Sequence, residues 1–350
     1  MIFLTIDTGT TNTRVCLWRD GEVAAASSTP VGVRSTSISG STTLLQRALR
    51  GSIVSVLTSA GVAESDVDIA LASGMITSNL GLHEVPHSVA PSGLTDLGRG
   101  MDSMLLADVW SKPIWFIPGI RNDMLDADLK IGFDRCEAMD MMRGEEVEVM
   151  GLIDRLGISD PTVFIMPGSH TKFVRIDEHA RITGCATTLA GELLQAITNN
   201  TILAKTLQNE FAATLDRTAL LAGAMVVGKV GLSRACFTTR ILDLFGGADR
   251  NACANFLLGA MLGADLLTLK NSSALEMRPT LPLIVAGSGV LQQAVATLIA
   301  EDDFFVAEVT VVTHAQQTHL AGYGAARVAA ARGLLDFPIA SPALALANSM

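Results

Sequence analysis

The sequence predicts an α/β protein of two domains, with mixed β-sheets flanked by helices. The chain has 350 residues, which is more than a single hydrophobic core usually organises. Its first three apolar runs are joined by tight turns and therefore form antiparallel strands. Strand and helix patterns then alternate, which indicates sheets covered by helices.

The first elements form a three-stranded unit followed by a helix. The predicted strands run from Ile2 to Ile6, from Val15 to Trp18 and from Glu22 to Ala26. Apolar residues then recur at helical spacing between Ser41, a predicted N-cap, and Gly61, a predicted stop.

A domain boundary is predicted in the polar, Asp-rich stretch 121–135. Before it, buried strands from Asp68 to Ala72 and from Pro113 to Ile117 each lead into a glycine-containing loop. We therefore expect domains at 1–132 and 133–315. A C-terminal helix within 316–350 is expected to pack back on the first domain.

The second half repeats the layout of the first. A helix begins at Glu145 and stops at Gly157, and a hairpin over 162–176 turns at Pro167-Gly168-Ser169-His170-Thr171. The remaining predicted elements are a buried strand from Leu281 to Ala286, a helix from Val290 to Ala300, a strand from Phe304 to Thr313 and a helix from Gln316 to Leu335.

Composition narrows the class of protein. The net charge of −10 argues against a nucleic-acid-binding surface, which would be basic. The longest apolar runs are interrupted by Lys229 and Asp265, and no signal peptide is visible, so we expect a cytoplasmic protein without a membrane partner. Five dispersed cysteines suggest neither disulfides nor a zinc site, and Pro86 argues against a helical metal site at His83 and His87.

The first turn has the residues of a phosphate-binding hairpin. Gly9 allows close approach of the backbone, and amides and hydroxyls around it can donate to phosphate oxygens. Asp7 at its root supplies a hard oxygen ligand for Mg²⁺. An ordinary hairpin turn is the alternative interpretation.

Two acids open the helix after the boundary, in Arg143-Gly144-Glu145-Glu146. Acids in a first turn can simply complement the helix dipole. A carboxylate between two candidate phosphate hairpins can instead take a proton from an attacking hydroxyl.

Further candidates are a glycine-rich turn and several cations. Gly287-Ser288-Gly289 joins a strand to a helix, where amides can hold a nucleotide. Arg14 and Arg143 suit a carboxylate substrate, and His170 and Lys172 suit a phosphate or sugar acid, although all four can be surface charges. The Walker-like spacing from Gly223 to Lys229 is expected to be an ordinary helix, because Val230 replaces the required Ser or Thr.

Together these motifs resemble the sugar kinase, heat-shock protein 70 and actin superfamily, and within it the 2-dehydro-3-deoxygalactonokinase family. The segments that carry the resemblance are 6–14, 73–76, 142–146, 166–172, 191–193 and 256–265. The resemblance implies a two-domain actin-like ATPase fold (ribonuclease H-like) with an interdomain cleft. It also implies ATP-dependent phosphorylation of the terminal hydroxyl of a 2-keto-3-deoxy sugar acid.

The resemblance assigns roles residue by residue. Asp7 organises Mg²⁺, and Glu145 is the base, with Glu146 as its rival. The phosphates of ATP are assigned to Gly9, Thr10, Thr11, Asn12, Gly168, Ser169 and Thr171, and the nucleoside to Gly287, Ser288 and Gly289. The substrate is assigned to Arg14, Gly74, Met75, Arg143, His170 and Lys172.

Four positions depart from the family pattern. Thr8, Leu82 and Phe173 stand where Trp is usual, and His87 stands where Tyr is usual. Loss of aromatic surface is therefore expected to alter the sugar pocket.

The alternative functions are a kinase of another sugar acid or amino sugar and a non-catalytic actin-like nucleotide switch. A small sugar acid is the expected partner, and a homodimer is the assembly considered.

Overall fold

A computed structural model describes residues 1–125 and 130–337. Part of the predicted boundary loop, 126–129, and the end of the predicted C-terminal segment, 338–350, lie outside the described residues.

The strands of the described residues form three sheets. Their bounds are β1 (Ile2–Thr8), β2 (Thr13–Arg19), β3 (Glu22–Thr29), β4 (Ile69–Gly74), β5 (Ser88–Val89), β6 (Asp102–Met104), β7 (Ile114–Phe116), β8 (Ile120–Arg121), β9 (Met141–Met142), β10 (Thr162–Met166), β11 (Thr171–Ile176), β12 (Ile182–Thr188), β13 (Leu283–Val285) and β14 (Val309–Val311).

The helices lie between and outside these sheets. Their bounds are α1 (Arg34–Ser39), α2 (Thr43–Ala60), α3 (Leu94–Gly100), α4 (Glu145–Leu156), α5 (Ala190–Asn200), α6 (Ala204–Leu207), α7 (Arg217–Val230), α8 (Leu232–Phe245), α9 (Arg250–Asn271), α10 (Gly289–Ala300), α11 (His314–Gln317) and α12 (Leu320–Ala331).

The two larger sheets share one five-stranded topology, and the first has β6 as an additional antiparallel edge strand. The first has the order β3-β2-β1-β4-β7-β6, and the second has the order β12-β11-β10-β13-β14. In each, a three-stranded antiparallel meander pairs through its first strand with a parallel strand, β1 with β4 and β10 with β13. This duplication confirms the predicted fold class, a pair of actin-like α/β units with mixed sheets.

Helices α4 and α12 lie between the two sheets. They pack against each other, and α12 also contacts β1, β4 and α3. One buried cluster joins them to both sheets, with Phe3 and Trp18 on the first sheet and Phe164 and Val174 on the second. The start of α4 is thereby held at the junction of the two units. The limits of the domains themselves remain a prediction.

Separate cores cover the outer faces of the sheets. Residues of α2 pack on the first sheet, and residues of α7, α9 and α10 pack on the second. Helix α9 is long and apolar enough to cross a membrane, but 72% of its most apolar window is buried inside the protein. Because most of this window is buried, α9 is a core helix of the second unit.

Two predicted elements are wrong in extent. The strand from Phe304 to Thr313 shortens to β14, because Phe305 N bonds to Asp302 O in a turn after α10. The helix from Gln316 to Leu335 is broken into α11 and α12 by His319, whose φ of 52° is left-handed. The Walker-like segment lies inside α7, which confirms the expected helix.

Candidate active site

The first hairpin presents an exposed tip above Asp7. Gly9 N donates to Asn12 O at 2.8 Å, which closes the turn and leaves Thr10 and Thr11 exposed. The carbonyls of Gly9 and Thr10 accept from Val33 N and Arg34 N. This bracing fixes the tip while its hydroxyls stay accessible to a ligand.

Two glycines bring the Asp7 strand against the start of α4. Gly74 has φ 83°, and a Cβ there would lie 2.6 Å from Thr8 O and 3.1 Å from Asp7 Oδ1. Gly144 has φ 120°, and a Cβ there would lie 3.2 Å from the Cα of Gly74. Both the positive φ and the lack of space require glycine. Asp7 and the acids of α4 are thus positioned through direct backbone contact.

The two acids that open α4 have different surroundings. Glu145 lies on the cleft, and its Oε2 accepts from Arg143 N at 3.1 Å. Glu146 is fully buried, its Oε2 accepts from Gly144 N at 2.7 Å, and its Oε1 has no partner among the described residues. Burial and the charge of Glu145 raise the pKa of Glu146 to about 8. Of the two rivals, only Glu145 lines a cavity of the cleft.

Glu148 is a cleft acid that no sequence motif singled out. It lines a cavity of about 240 Å³ with Asp7 and Arg14 and a second of about 280 Å³ with Glu145 and Lys172. Burial is the main cause that raises the pKa of Glu148 to about 8, and the negative charges of Asp7 and Glu145 raise this pKa further. Its spacing of three residues from Glu145, which places both on one helix face, could have revealed it.

The predicted cations lie in different parts of the site. Arg14 pairs with Asp7 across β1 and β2, with Nη1 3.0 Å from Oδ2. Burial raises the pKa of Asp7, while Arg14 opposes that rise. The guanidinium of Arg143 instead contacts Thr77, Val85 and His87.

The second hairpin supplies a buried ammonium group. Lys172 is 7% exposed and donates to Met141 O at 2.9 Å and Thr187 Oγ1 at 2.7 Å. His170 lies 3.0 Å from Glu192 Oε1 through its Nε2 and borders the same 280 Å³ cavity as Lys172 and Glu145. The structure therefore brings both residues together with the candidate base.

The glycine-rich turn is held by Gln317, which no local pattern in the sequence indicated. Gln317 Oε1 accepts from Gly287 N at 2.6 Å, and its Nε2 donates to Gly287 O at 2.9 Å. Ser288 is the N-cap of α10 without a side-chain cap bond, so the first amides of this helix remain available to an anion.

A cavity of about 400 Å³ joins the second hairpin to the start of α10. Its lining is mostly apolar and includes Gly168, Ser169 and Thr171 at one side and Val290 and Leu291 at the other. Phe211 and Met261, which were not predicted, also line it. Its apolar walls and adjacent amides suit a nucleoside with a phosphate chain.

The four departures from the family pattern lie in different surroundings. Thr8 is fully buried beside Thr13, and Phe173 and Leu82 pack in or against the hydrophobic cores. The side chain of His87 contacts that of Arg143, a predicted site residue, whereas Thr8 lies against Gly74 through its backbone. The expectation of lost aromatic surface in the sugar pocket therefore concerns His87 more than the other three.

The acids of the cleft fit a magnesium ion held partly by phosphates. Glu148 is crowded by Asp7 and Glu145, and this mutual repulsion would be relieved by a divalent cation. No group of three or more metal-ligating His, Cys, Asp or Glu side chains occurs in residues 1–125 and 130–337. Mg²⁺ usually takes only one or two carboxylates and completes its shell with water and phosphate.

Comparison with known proteins extends over nearly the whole chain. The family model described as 2-keto-3-deoxy-galactonokinase matches residues 7–325. A 2-dehydro-3-deoxygalactonokinase of Escherichia coli K12 is 24% identical over 328 residues, covering 89% of this chain and 98% of the relative. A probable 2-dehydro-3-deoxygalactonokinase of Rhizobium meliloti 1021 is 29% identical over 205 residues, covering 57% of this chain and 58% of the relative.

A solved structure agrees with the fold. The crystal structure of a candidate 2-dehydro-3-deoxygalactonokinase from Sinorhizobium meliloti superposes with a TM-score of 0.71 at 21% identity, covering 93% of this chain and 98% of that one. The match of the family model from the root of the first hairpin to α12 includes every cleft element described above. The chain belongs to the 2-keto-3-deoxy-galactonokinase family.

Proposed function

We propose that the cleft between the two hairpins transfers the γ-phosphoryl group of MgATP to the terminal hydroxyl of 2-dehydro-3-deoxygalactonate. Membership of the family makes the chain a sugar kinase for this acid, and a kinase uses ATP as its donor. The observation that supports the location is the convergence of Glu145, Glu148, Lys172 and Gly287 on one cavity. Phosphoryl transfer depends mainly on such positioning and on neutralisation of charge.

Glu145 is the proposed base. It borders the cleft, and the bond from Arg143 N holds its carboxylate at the start of α4. Glu146 has no access to the cleft cavities and keeps one oxygen on Gly144 N. Glu145 therefore orients the acceptor hydroxyl and takes its proton, while Glu146 stabilises the start of the helix.

The nucleotide is proposed to bind from the first hairpin to the 400 Å³ cavity. Its phosphates meet Gly9, Thr10, Thr11 and Asn12 on one side and Gly168, Ser169 and Thr171 on the other. Gly287, Ser288 and Gly289 hold the nucleoside end, where α10 begins beside the cavity. The exposed turn amides and the helix start favour this placement of the anionic chain.

Asp7 is the proposed Mg²⁺ ligand, with Glu148 beside it. When bound, the ion neutralises charge on the phosphates. The two carboxylates border the same 240 Å³ cavity. Arg14 restrains Asp7 through their ion pair, so the carboxylate keeps its position in the cleft.

The acceptor is proposed to lie against Gly74, Met75, His170 and Lys172, with Arg14 at the edge of the cleft. Lys172 uses two of its three N–H donors on the protein and keeps a third for an anionic group. Another sugar acid or an amino sugar is the alternative acceptor. The cytoplasmic location, the homodimer and the lack of nucleic-acid or membrane partners remain predictions.

The test is coupled release of ADP with 2-dehydro-3-deoxygalactonate, related sugar acids and an amino sugar. We expect only the keto-deoxy acid to give full turnover in the native enzyme. Glu145→Gln should lower kcat by about 10²-fold or more, whereas the matched Glu146→Gln variant should keep most of it. Full turnover of Glu145→Gln would place the base elsewhere, and equal turnover with the amino sugar would contradict the acceptor.

A further inference from the structure

The guanidinium group of Arg143 is committed to protein partners. Its Nη1 donates to Thr77 O at 2.6 Å and Thr77 Oγ1 at 2.5 Å. Its Nη2 donates to Val85 O at 3.0 Å and lies 3.2 Å from both ring nitrogens of His87. Both terminal nitrogens are therefore occupied within the protein.

These partners are buried, and Val85 O and Thr77 Oγ1 would lose the hydrogen bond from Arg143 if it turned to a ligand, whereas Thr77 O would keep its bond from Val85 N. Thr77 is completely buried and Val85 is 1% exposed. A buried carbonyl that loses its hydrogen bond is left desolvated without a partner, which destabilises the protein. Binding a substrate carboxylate through both terminal nitrogens of Arg143 would therefore break the bonds that hold Thr77 and Val85.

Arg143 and its partners Thr77, Val85 and His87 form a cluster that we call the Arg143 clamp. In it, His87 is a neutral hydrogen-bond acceptor. Burial lowers its pKa to about 4, and the charges of Arg143 and Arg121 act in the same direction. The ring thus stays uncharged and does not repel Arg143 at neutral pH. His87 stands where the family pattern has Tyr, and its neutral ring can accept from the guanidinium of Arg143.

The position of Arg143 in the chain links this clamp to the chemistry. Its own N–H donates to Glu145 Oε2 at 3.1 Å, and its neighbour Gly144 lies close against Gly74. Gly74 in turn lies against Asp7. The guanidinium fastens the loop that follows Gly74, so one rigid unit contains the proposed base and the proposed magnesium ligand.

We propose that Arg143 is a positioning residue that fixes Glu145 relative to Asp7, and that it does not bind the carboxylate of the acceptor. The proposal rests on the proposed function, because it takes Glu145 as the base. It deepens that function by removing one cation from the set that recognises the substrate.

The test separates kcat from KM in Arg143→Met, Arg143→Lys and Thr77→Val. It uses the sugar acid and an analogue in which the carboxylate is reduced to a primary alcohol. We expect Arg143→Met to lower kcat about 10-fold or more with both acceptors while KM for each changes less than about threefold. Arg143→Lys should recover part of kcat, because an ammonium can still donate to Thr77. Thr77→Val should show a smaller loss of the same kind.

Arg121→Lys is the matched control, because Arg121 lies near the same histidine but donates to Asn122 O rather than to the Thr77 loop. Its kcat should change less than about twofold. Thr77→Val keeps the test informative if Arg143→Met does not fold. A rise of about 10-fold or more in KM for the acid alone, with kcat retained, would overturn the proposal. Failure of Glu145 as the base is recognised separately, by full turnover of Glu145→Gln.

Discussion

Gly144→Ala is expected to reduce turnover through a small displacement at the centre of the site. The new Cβ would lie 3.2 Å from the Cα of Gly74, so one backbone must yield by a few tenths of an ångström. Gly74 cannot move away freely, because it ends β4 and pairs with Thr8 of β1, next to Asp7. The displacement is therefore transmitted to Glu145 or to Asp7.

The magnitude follows from geometry and backbone strain. A φ of 120° disfavours a side chain and costs about 1–3 kcal/mol of stability. A misplacement of about 1 Å can lower turnover about 10²-fold, so a few tenths should lower kcat roughly three- to tenfold.

Gly157→Ala is the matched control at the other end of α4. Gly157 has φ 64°, and a Cβ added there would have no atom within 4 Å, so only backbone strain of about 1–2 kcal/mol is expected. Urea denaturation should show a loss of stability for both variants, and steady-state kinetics should show a loss of kcat for Gly144→Ala alone. The reasoning is refuted if Gly144→Ala keeps kcat within about 1.5-fold, or if Gly157→Ala loses as much.

Three further predictions concern the nucleotide turn, the buried acid and the metal. Gln317→Leu should raise KM for ATP about 10-fold, because the Gly287 turn loses its bonds to this side chain. The control Gln293→Leu, on the exposed side of α10, should leave KM for ATP unchanged. Equal KM values for ATP in the two variants would contradict the role of Gln317. Glu146 keeps a proton in the folded state between pH 4.5 and about 8, so the free energy of unfolding should fall as pH rises through that window. Denaturation at about pH 5.5 and about pH 7.5 should show this fall to be smaller by on the order of 2 kcal/mol in Glu146→Gln, while the contribution of Glu148 remains; an unchanged slope would exclude Glu146 as a source. Glu148→Gln should raise the Mg²⁺ concentration for half-maximal rate several-fold, and an unchanged Mg²⁺ dependence would remove Glu148 from the metal environment.

Local sequence patterns determined the elements and many candidate residues. Tight turns after short apolar runs specified both hairpins, and Gly61 and Gly157 ended helices where predicted, because a left-handed C-cap favours glycine. The same local patterns indicated several candidate site residues, because each lies in or beside a turn or a helix start: Asp7, Glu145, Lys172 and Gly287. The predictions at Phe304 and His319 were wrong where a turn or a left-handed residue interrupted an apolar pattern.

The tertiary structure decided which of these residues meet and what each side chain is free to do. Sequence spacing could not separate Glu145 from Glu146, because helix rotation and burial decide that one borders the cleft and the other is enclosed. Gln317 approaches Gly287 only when α11 folds beside the second sheet. Arg143 has the chemistry of a substrate ligand, yet its long side chain is committed to carbonyls more than fifty residues away in the chain. Local patterns set backbone conformation, whereas the direction and availability of a side chain depend on contacts that only the folded chain creates.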